Sequence, residues 1–181
     1  MAKIAGAVVE LTRRCPTVVD AAYNHKQFSE VLEQNEVVGL YFSSYSCPAC
    51  RKMTPKLVEV YNDLRRRNRS FEMVFVSGDT SQHDFVGYFS SMPWLTLPDF
   101  PASPSILFAF FRVWMLPTLI LLRSDGTVIT RSGCSLLLNH AHEFPWPGYR
   151  DANRFLSLNT CIALTALCAL AGLLYLLLMM L

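Results

Sequence analysis

The sequence predicts a three-layer α/β sandwich around a mixed central sheet, followed by one membrane-spanning helix. Three observations carry this. First, Val37-Val38-Gly39-Leu40-Tyr41-Phe42 and Phe71-Glu72-Met73-Val74-Phe75-Val76 are short, apolar and rich in β-branched and aromatic residues. Leu57, Val58, Val60, Tyr61 and Leu64 recur between them at helical spacing. Strand, helix and strand in that order imply a parallel unit with a right-handed crossover. Second, Leu116-Pro117-Thr118-Leu119-Ile120-Leu121-Leu122, an Asp125-Gly126 turn and Val128-Ile129-Thr130 read as an antiparallel hairpin, because Asp-Gly supplies positive φ. Third, no charged residue follows Arg154, and Cys161 to Leu181 is almost entirely Leu, Ala, Met, Cys and Ile. That stretch is long enough to cross about 30 Å of hydrocarbon as a helix, and it has no polar face to turn toward water.

The 181 residues leave room for one ordinary domain and an appendage. Residues 1–17 show weak periodicity and end in Arg13-Arg14-Cys15-Pro16; a poorly packed extension or an edge element is expected there. The domain proper is placed at residues 18–147. Asp20 to Gln34 carries Phe28, Val31 and Leu32 at helical spacing and reads as one amphipathic helix. After the first strand, the helix over about 51–67 contains Pro55, which should kink it. It ends in Arg65-Arg66-Arg67-Asn68-Arg69, a basic run that complements the negative end of a helix dipole. With a net charge of only +2, this run is read as a solvated helix end, and nucleic acid is not expected as a partner. Ser77-Gly78-Asp79 closes the second strand, and His83 to Phe89 forms one or two helical turns. Ser90 to Leu95 and the segment punctuated by Pro98, Pro101 and Pro104 are loops. Ile106 to Trp114 is a buried helix, too short to span a membrane and interrupted by Arg112. Phe144-Pro145-Trp146-Pro147-Gly148 closes the domain, residues 148–155 form a linker, and residues 156–181 form the span. This order of elements is that of a thioredoxin-like sandwich, whose site lies at the carboxyl ends of the central strands.

The span is expected to act as a tail anchor that leaves the domain in the cytosol, with the endoplasmic reticulum favoured over the mitochondrial outer membrane. Arg150 and Arg154 stand on its domain side, in keeping with the positive-inside tendency. Met1 to Val9 is too short for a secretory core and is followed by Glu10, Arg13 and Arg14. Of the six cysteines, Cys161 and Cys168 lie in the span and Cys47 and Cys50 form a CxxC motif. In a reducing compartment Cys15 and Cys134 are expected to remain thiols.

The chemistry is expected at Cys47-Pro48-Ala49-Cys50, where strand gives way to helix. Unpaired N–H groups at the helix start favour a thiolate at Cys47, and Arg51 and Lys52 add positive charge. Two intervening residues let the thiols close a small ring, and Pro48 stiffens the turn. A closed zinc site needs four ligands at workable spacing. No second CxxC or HxxxH follows, and His83, His140 and His142 are scattered, so no metal is expected.

Further positions sharpen this. Tyr41-Phe42-Ser43, Cys47-Pro48-x-Cys50-Arg51-x-x-Thr54-Pro55, Phe85-x-Gly87-Tyr88-Phe89-x-x-Met92-Pro93-Trp94-Leu95, Leu116-Pro117-Thr118-Leu119 and Glu143-Phe144-Pro145-Trp146 run through residues 28–147. On these, the chain resembles the tryparedoxins of the thioredoxin superfamily, with the nucleoredoxins as near relatives. The resemblance implies a protein-disulfide oxidoreductase in which Cys47 attacks and buried Cys50 resolves. Pro117 would be a cis-proline facing the disulfide, and Leu116 would present its backbone to a substrate strand. Ser46 and Pro48 would complete the substrate rim. Asp79 is the candidate proton relay to Cys50, with a solvated loop acid as the other reading. Arg131 falls where the family has a basic substrate contact.

Three departures stand out. Ser46 replaces a family tryptophan, Pro48-Ala49 replaces Pro-Pro, and Gly78 replaces a second tryptophan before Asp79. The lost aromatics weaken the case for trypanothione as reductant without touching the exchange chemistry. The expected partners are disulfide-containing clients, an external dithiol donor (trypanothione or similar) and the bilayer through residues 156–181, with no bound cofactor. The rival reading is a tethering module that keeps the fold at a membrane; intact Cys47, Cys50 and Pro117 oppose it. A peroxidase is disfavoured, since the motif lacks the threonine-rich context of a peroxidatic cysteine.

Overall fold

The computed structural model describes residues 11–149. Seven strands form one sheet: β1 (Thr17–Val19), β2 (His25–Gln27), β3 (Val37–Ser43), β4 (Phe71–Ser77), β5 (Leu95–Thr96), β6 (Thr118–Arg123) and β7 (Val128–Thr130), in the order β2-β1-β5-β4-β3-β6-β7. The helices are α1 (Phe28–Gln34), α2 (Pro48–Arg66), α3 (Gln82–Phe89), α4 (Ala102–Phe111) and α5 (Gly133–His140), with a closing 3-10 turn at Ala141–Glu143.

β3 and β4 pair in parallel from Val37↔Phe71 to Ser43↔Ser77, and every residue of both is buried. Strands covered on both faces read as continuous apolar runs, which is why their sequences do not alternate. The alternation survives in the packing. Val37, Tyr41, Met73 and Phe75 enter one core with Leu57 of α2, Phe85 of α3 and Leu136 of α5. Val38, Leu40, Phe42, Val74 and Val76 enter the other with Val31 of α1 and Leu107 of α4. The β6–β7 hairpin is antiparallel, its turn made by Gly126 at φ 75° and by Asp125, whose carboxylate accepts from the Thr127 N–H at 2.8 Å. The basic run at the end of α2 is solvated as expected: Arg66 and Arg67 pair with Asp63, and Asn68 turns the chain at φ 52°. Trp94 is buried and packs edge-on to Tyr41 and Tyr61. Phe144 and Trp146 pack on one another, with Phe144 against Phe71 and the Trp146 indole N–H donating to the His140 carbonyl.

The structure departs from the expected elements in four places. Asp20 to Gln34 is not one helix. Its first half is a turn and β2, because the Asp20 carboxylate accepts from the N–H groups of Ala22 and Asn24 and Tyr23 takes φ 60°. Such side-chain capture of backbone donors competes with helix. Residues 11–14 are helical and Leu11 and Cys15 are buried, so the folded unit begins before residue 18. Leu95 and Thr96 leave the expected loop to pair with β4 and β1. Finally, α4 begins earlier, with Pro104 in its first turn, where no amide donor is needed. It also stops at Phe111 because Arg112 is left-handed, at φ 49°. Trp114 is therefore not in a buried helix; it is 89% exposed.

The described residues belong to one compact unit that ends at Tyr149. Among the described residues, no helix is long and apolar enough to cross a membrane. The expected span at 156–181 lies outside the described residues, as does most of the linker.

Candidate active site

The site forms where β3 hands the chain to α2. Cys47 is the N-cap residue, with extended backbone, and its sulfur accepts the Cys50 N–H at 3.2 Å. Pro48 occupies the first helical position, where its missing N–H costs nothing. Cys47 is half-buried and its Sγ lies 3.8 Å from the Leu116 carbonyl oxygen. Cys50, three residues on, is fully buried, and both thiols are free. Burial, and then the hydrogen-bonded Cys47 sulfur, push the Cys50 thiol up to about 11, against the opposing pull of the Ser43 hydroxyl and the Ser44 backbone. One thiol is thus open to the cleft and the other is sealed beneath it.

Asp79 serves the rim of this site. Its carboxylate accepts from the Ser44 hydroxyl at 2.8 Å, the Tyr45 N–H at 2.7 Å and the Ser77 hydroxyl at 2.8 Å. It is buried, so it is not the solvated acid, and these bonds tie it to the rim loop and Ser77 rather than directly to Cys50. What it holds is the Ser44-Tyr45-Ser46 loop. Ser46 is exposed and bonds the Ser44 hydroxyl at 2.8 Å. Exposed Tyr45 lies under the Arg51 guanidinium, 5.4 Å from the ring centroid, and Arg51 also donates to the Tyr45 carbonyl.

The opposite wall is the segment before β6. The Leu116–Pro117 peptide is cis, and both residues are partly buried beside the motif. Met115 is 78% exposed next to Trp114, its carbonyl held by the Thr118 hydroxyl at 2.7 Å. Arg131 braces this wall by donating to the Phe111 carbonyl at 2.6 Å. At Gly78, a Cβ would meet Leu116 Cδ1 at 3.1 Å and Phe108 Cζ at 3.3 Å. The place where a tryptophan side chain would start is therefore occupied by Leu116 and Phe108.

Behind Cys50 lies a cluster of buried hydroxyls. Tyr88 OH is 2.5 Å from Thr54 Oγ1 and 3.1 Å from Ser43 Oγ, and Thr54 Oγ1 is 2.9 Å from Tyr41 OH. Sequence reasoning missed this cluster and the exposed Trp114–Met115 pair. One signal was available: Ser43 follows Tyr41 by two residues on β3, so both face the same side of the sheet. Cys134 packs against the same core, and its thiol is pushed up to about 12, chiefly by burial. Among the described residues, no three His, Cys, Asp or Glu side chains group as metal ligands.

A helix-capping half-exposed thiol, a buried thiol one turn behind it and a cis-proline segment across the cleft, all at one end of a mixed sheet, define the thioredoxin-fold class of thiol–disulfide oxidoreductases. The chain belongs to the thioredoxin-like family, whose model matches residues 35–128. Nucleoredoxin from Homo sapiens is 45% identical over 112 residues, 60% of this chain and 26% of that protein. The chain thus spans about a quarter of the length of that relative. Native tryparedoxin I from Crithidia fasciculata superposes with a TM-score of 0.69 at 29% identity, covering 81% of this chain and 99% of that one. Tryparedoxin from Trypanosoma brucei superposes at 0.67 with 30% identity, covering 78% and 99%.

Proposed function

We propose that the protein is a tryparedoxin- or nucleoredoxin-type enzyme that reduces protein disulfides through Cys47-Pro48-Ala49-Cys50, and that residues 156–181 attach it to a membrane. The reading rests on one observation above the others: the half-exposed Cys47 sulfur accepts the Cys50 N–H while buried Cys50 lies one turn behind. Cys47 attacks one sulfur of a client disulfide as the thiolate, forming a mixed disulfide and expelling the first client thiolate. Cys50 loses its proton and attacks Cys47 Sγ; the second client thiolate leaves, and the oxidised pair accepts two electrons from an external dithiol. Ser46, Pro48, Leu116 and Pro117 frame the client, whose extended backbone pairs with that of Leu116.

The donor is an external dithiol. Greater identity to nucleoredoxin than to the tryparedoxins, with Ser46 and Gly78 in place of rim aromatics, favours one other than trypanothione. Clients and donor meet the domain on the cytosolic side of the membrane. The absent aromatics also support a second reading, a tethering module that holds a partner through exposed Trp114 and Met115 without turnover.

The test is equilibration of the full-length chain in graded dithiol/disulfide buffers, with thiols counted by alkylation and mass. A reversible two-electron transition of Cys47 and Cys50 between roughly −270 and −180 mV is expected. A pair that stays reduced under strong oxidant rejects the enzyme and leaves the tether.

A further inference from the structure

The arginine run at the end of α2 stands apart from the sulfur chemistry. Cys47 caps one end of that helix and Arg66 closes the other, so 19 residues hold the run about 28 Å from the motif. Charges that far apart are screened from one another at physiological salt. Nor does the helix need the run in order to end. The N–H groups of Asn68 and Arg69 donate to the carbonyls of Arg65 and Leu64, each at 3.0 Å, with Asn68 left-handed. This backbone closure already satisfies last-turn carbonyls. Arg65, Arg66, Arg67 and Arg69 are all exposed. Asp63 pairs with two of them, yet the Arg66 and Arg67 side chains stay 75% and 56% exposed, and exposed pairs of this kind contribute little to stability.

The fold brings this run to the end of the sheet where the described chain finishes. The Arg65 guanidinium donates to the Phe71 carbonyl at 3.4 Å, at the start of β4. The Phe71 ring lies edge-on to Phe144, 6.0 Å between centroids, and Phe144 packs on Trp146. Arg123, level with Phe71 across Val37, donates to the carbonyls of Trp146 and Pro147 at 3.2 and 3.4 Å. Two further features share this end. Lys26 and Arg65 border one polar hollow of about 220 Å³. The β1–β2 turn also points this way, because β1 runs antiparallel to β5 and β5 parallel to β4, and the Tyr23 of that turn is exposed. Of the acids here, Glu72 is buried and taken by Tyr61 OH and the Met73 N–H. Glu36 and Asp125 are exposed at the borders, so cations prevail on the surface between. The Cys47 cleft lies beyond the opposite ends of β3 and β4, which run from this end to Ser43 and Ser77.

We propose that the end of the domain carrying Arg65, Arg66, Arg67 and Arg69 docks on the anionic headgroups of the membrane to which residues 156–181 attach the protein, leaving the Cys47 cleft open on the far side to soluble clients. The inference rests on the membrane attachment proposed above. Residue 156 is seven residues past Tyr149, and seven residues reach about 25 Å at most. Attachment through that stretch therefore keeps this end near the headgroups. Clusters of arginine and lysine beside a span are drawn to the anionic cytoplasmic leaflet; here the fold, and not the order of the sequence, places the cluster beside the chain's exit. Guanidinium groups match phosphate oxygens with paired N–H bonds, and an exposed tyrosine suits the interfacial layer. An acidic protein partner would not account for a run placed at that exit.

The test uses the full-length protein reconstituted in vesicles of phosphatidylcholine alone or of phosphatidylcholine with phosphatidylserine. Flotation that survives alkaline carbonate reports attachment. The rate at which phenylglyoxal modifies each arginine, read by mass spectrometry, reports the docked surface. Arg66, Arg67 and Arg69 are expected to react at least roughly threefold more slowly on the anionic vesicles than on the neutral ones. The gap should close at about 1 M salt, where the screening length falls to about 3 Å. Exposed Arg51, on the motif side, is expected to react alike on both. Flotation with both kinds of vesicle and equal rates at the run would overturn the docking while leaving the attachment in place, and so would a slowing that Arg51 shares. Flotation with neither would overturn the attachment and the docking with it.

Discussion

The two walls of the active-site cleft are built in opposite ways. On the motif side, polar groups are buried and bonded: Asp79 holds Ser44, Tyr45 and Ser77, and Thr54 and Tyr88 interlock behind Cys50. On the side of Pro117, Trp114 and Met115 are exposed apolar surface, with the Met115 carbonyl accepting from the Thr118 hydroxyl. Sulfur exchange needs atoms fixed relative to one another, and satisfied buried hydrogen bonds fix them because breaking any one is costly. Recognition of a client needs apolar area still open to solvent, which a partner can cover. On the proposed function, the contrast assigns chemistry to the polar wall and client affinity to the apolar one.

The sharpest way to break the contrast is at the sulfur itself. Cys47→Ser should abolish disulfide reduction, and Cys50→Ser should accumulate Cys47 mixed disulfides visible as client adducts on non-reducing gels. Unchanged turnover in Cys47→Ser would place the chemistry elsewhere. Next comes the polar wall. Asp79→Ala removes the acceptor of the Tyr45 N–H and of the Ser77 hydroxyl, while the Ser44 hydroxyl keeps Ser46, and should cost about 2 kcal/mol in denaturant unfolding, at ~1–3 kcal/mol for each unsatisfied buried group with partial relief by water. A loss below about 0.5 kcal/mol would mean that the loop does not depend on it.

The buried thiols predict a pH dependence. Cys50 and Cys134 are held near 11 and 12 when folded, against an ordinary 9.0. Above the ordinary value the unfolded chain loses these protons while the folded one keeps them. The stability they contribute is therefore complete below about pH 9 and declines as pH rises through the folded values. Denaturant midpoints should fall over that window, and Cys134→Ala should flatten the fall; a slope that Cys134→Ala leaves untouched would contradict the assignment. The smallest effect belongs to the apolar wall. Trp114→Ala should weaken client binding by roughly tenfold, about 1.4 kcal/mol, as a rise in KM with kcat retained, while stability shifts by less than about 0.5 kcal/mol. A fall in kcat with KM unchanged would instead make Trp114 part of the chemical wall.

The strand–helix–strand unit and the β6–β7 hairpin were legible because their signals are local: apolar runs, a helical repeat, an Asp-Gly turn. The place of Cys47 at the helix start followed from the same junction. The hairpin of β1 and β2 was not legible, since Phe28, Val31 and Leu32 carry a true helical repeat that says nothing about where the helix begins. Asp20, by taking the backbone donors of Ala22 and Asn24, decided that. Trp114 was misplaced for a similar reason, because an apolar run does not reveal a left-handed residue such as Arg112.

By itself, then, the sequence determined that a dithiol caps a helix at the end of a buried parallel strand, since that depends only on residue types within one turn of each other. Tertiary structure alone decided which polar groups stand behind the second thiol and what Asp79 does. Ser43 meets Tyr88 across 45 residues, Ser44 meets Asp79 across 35 and Thr54 meets Tyr88 across 34. Those meetings depend on how helices pack over the sheet. Periodicity encodes which face a side chain takes, and not which distant partner waits there.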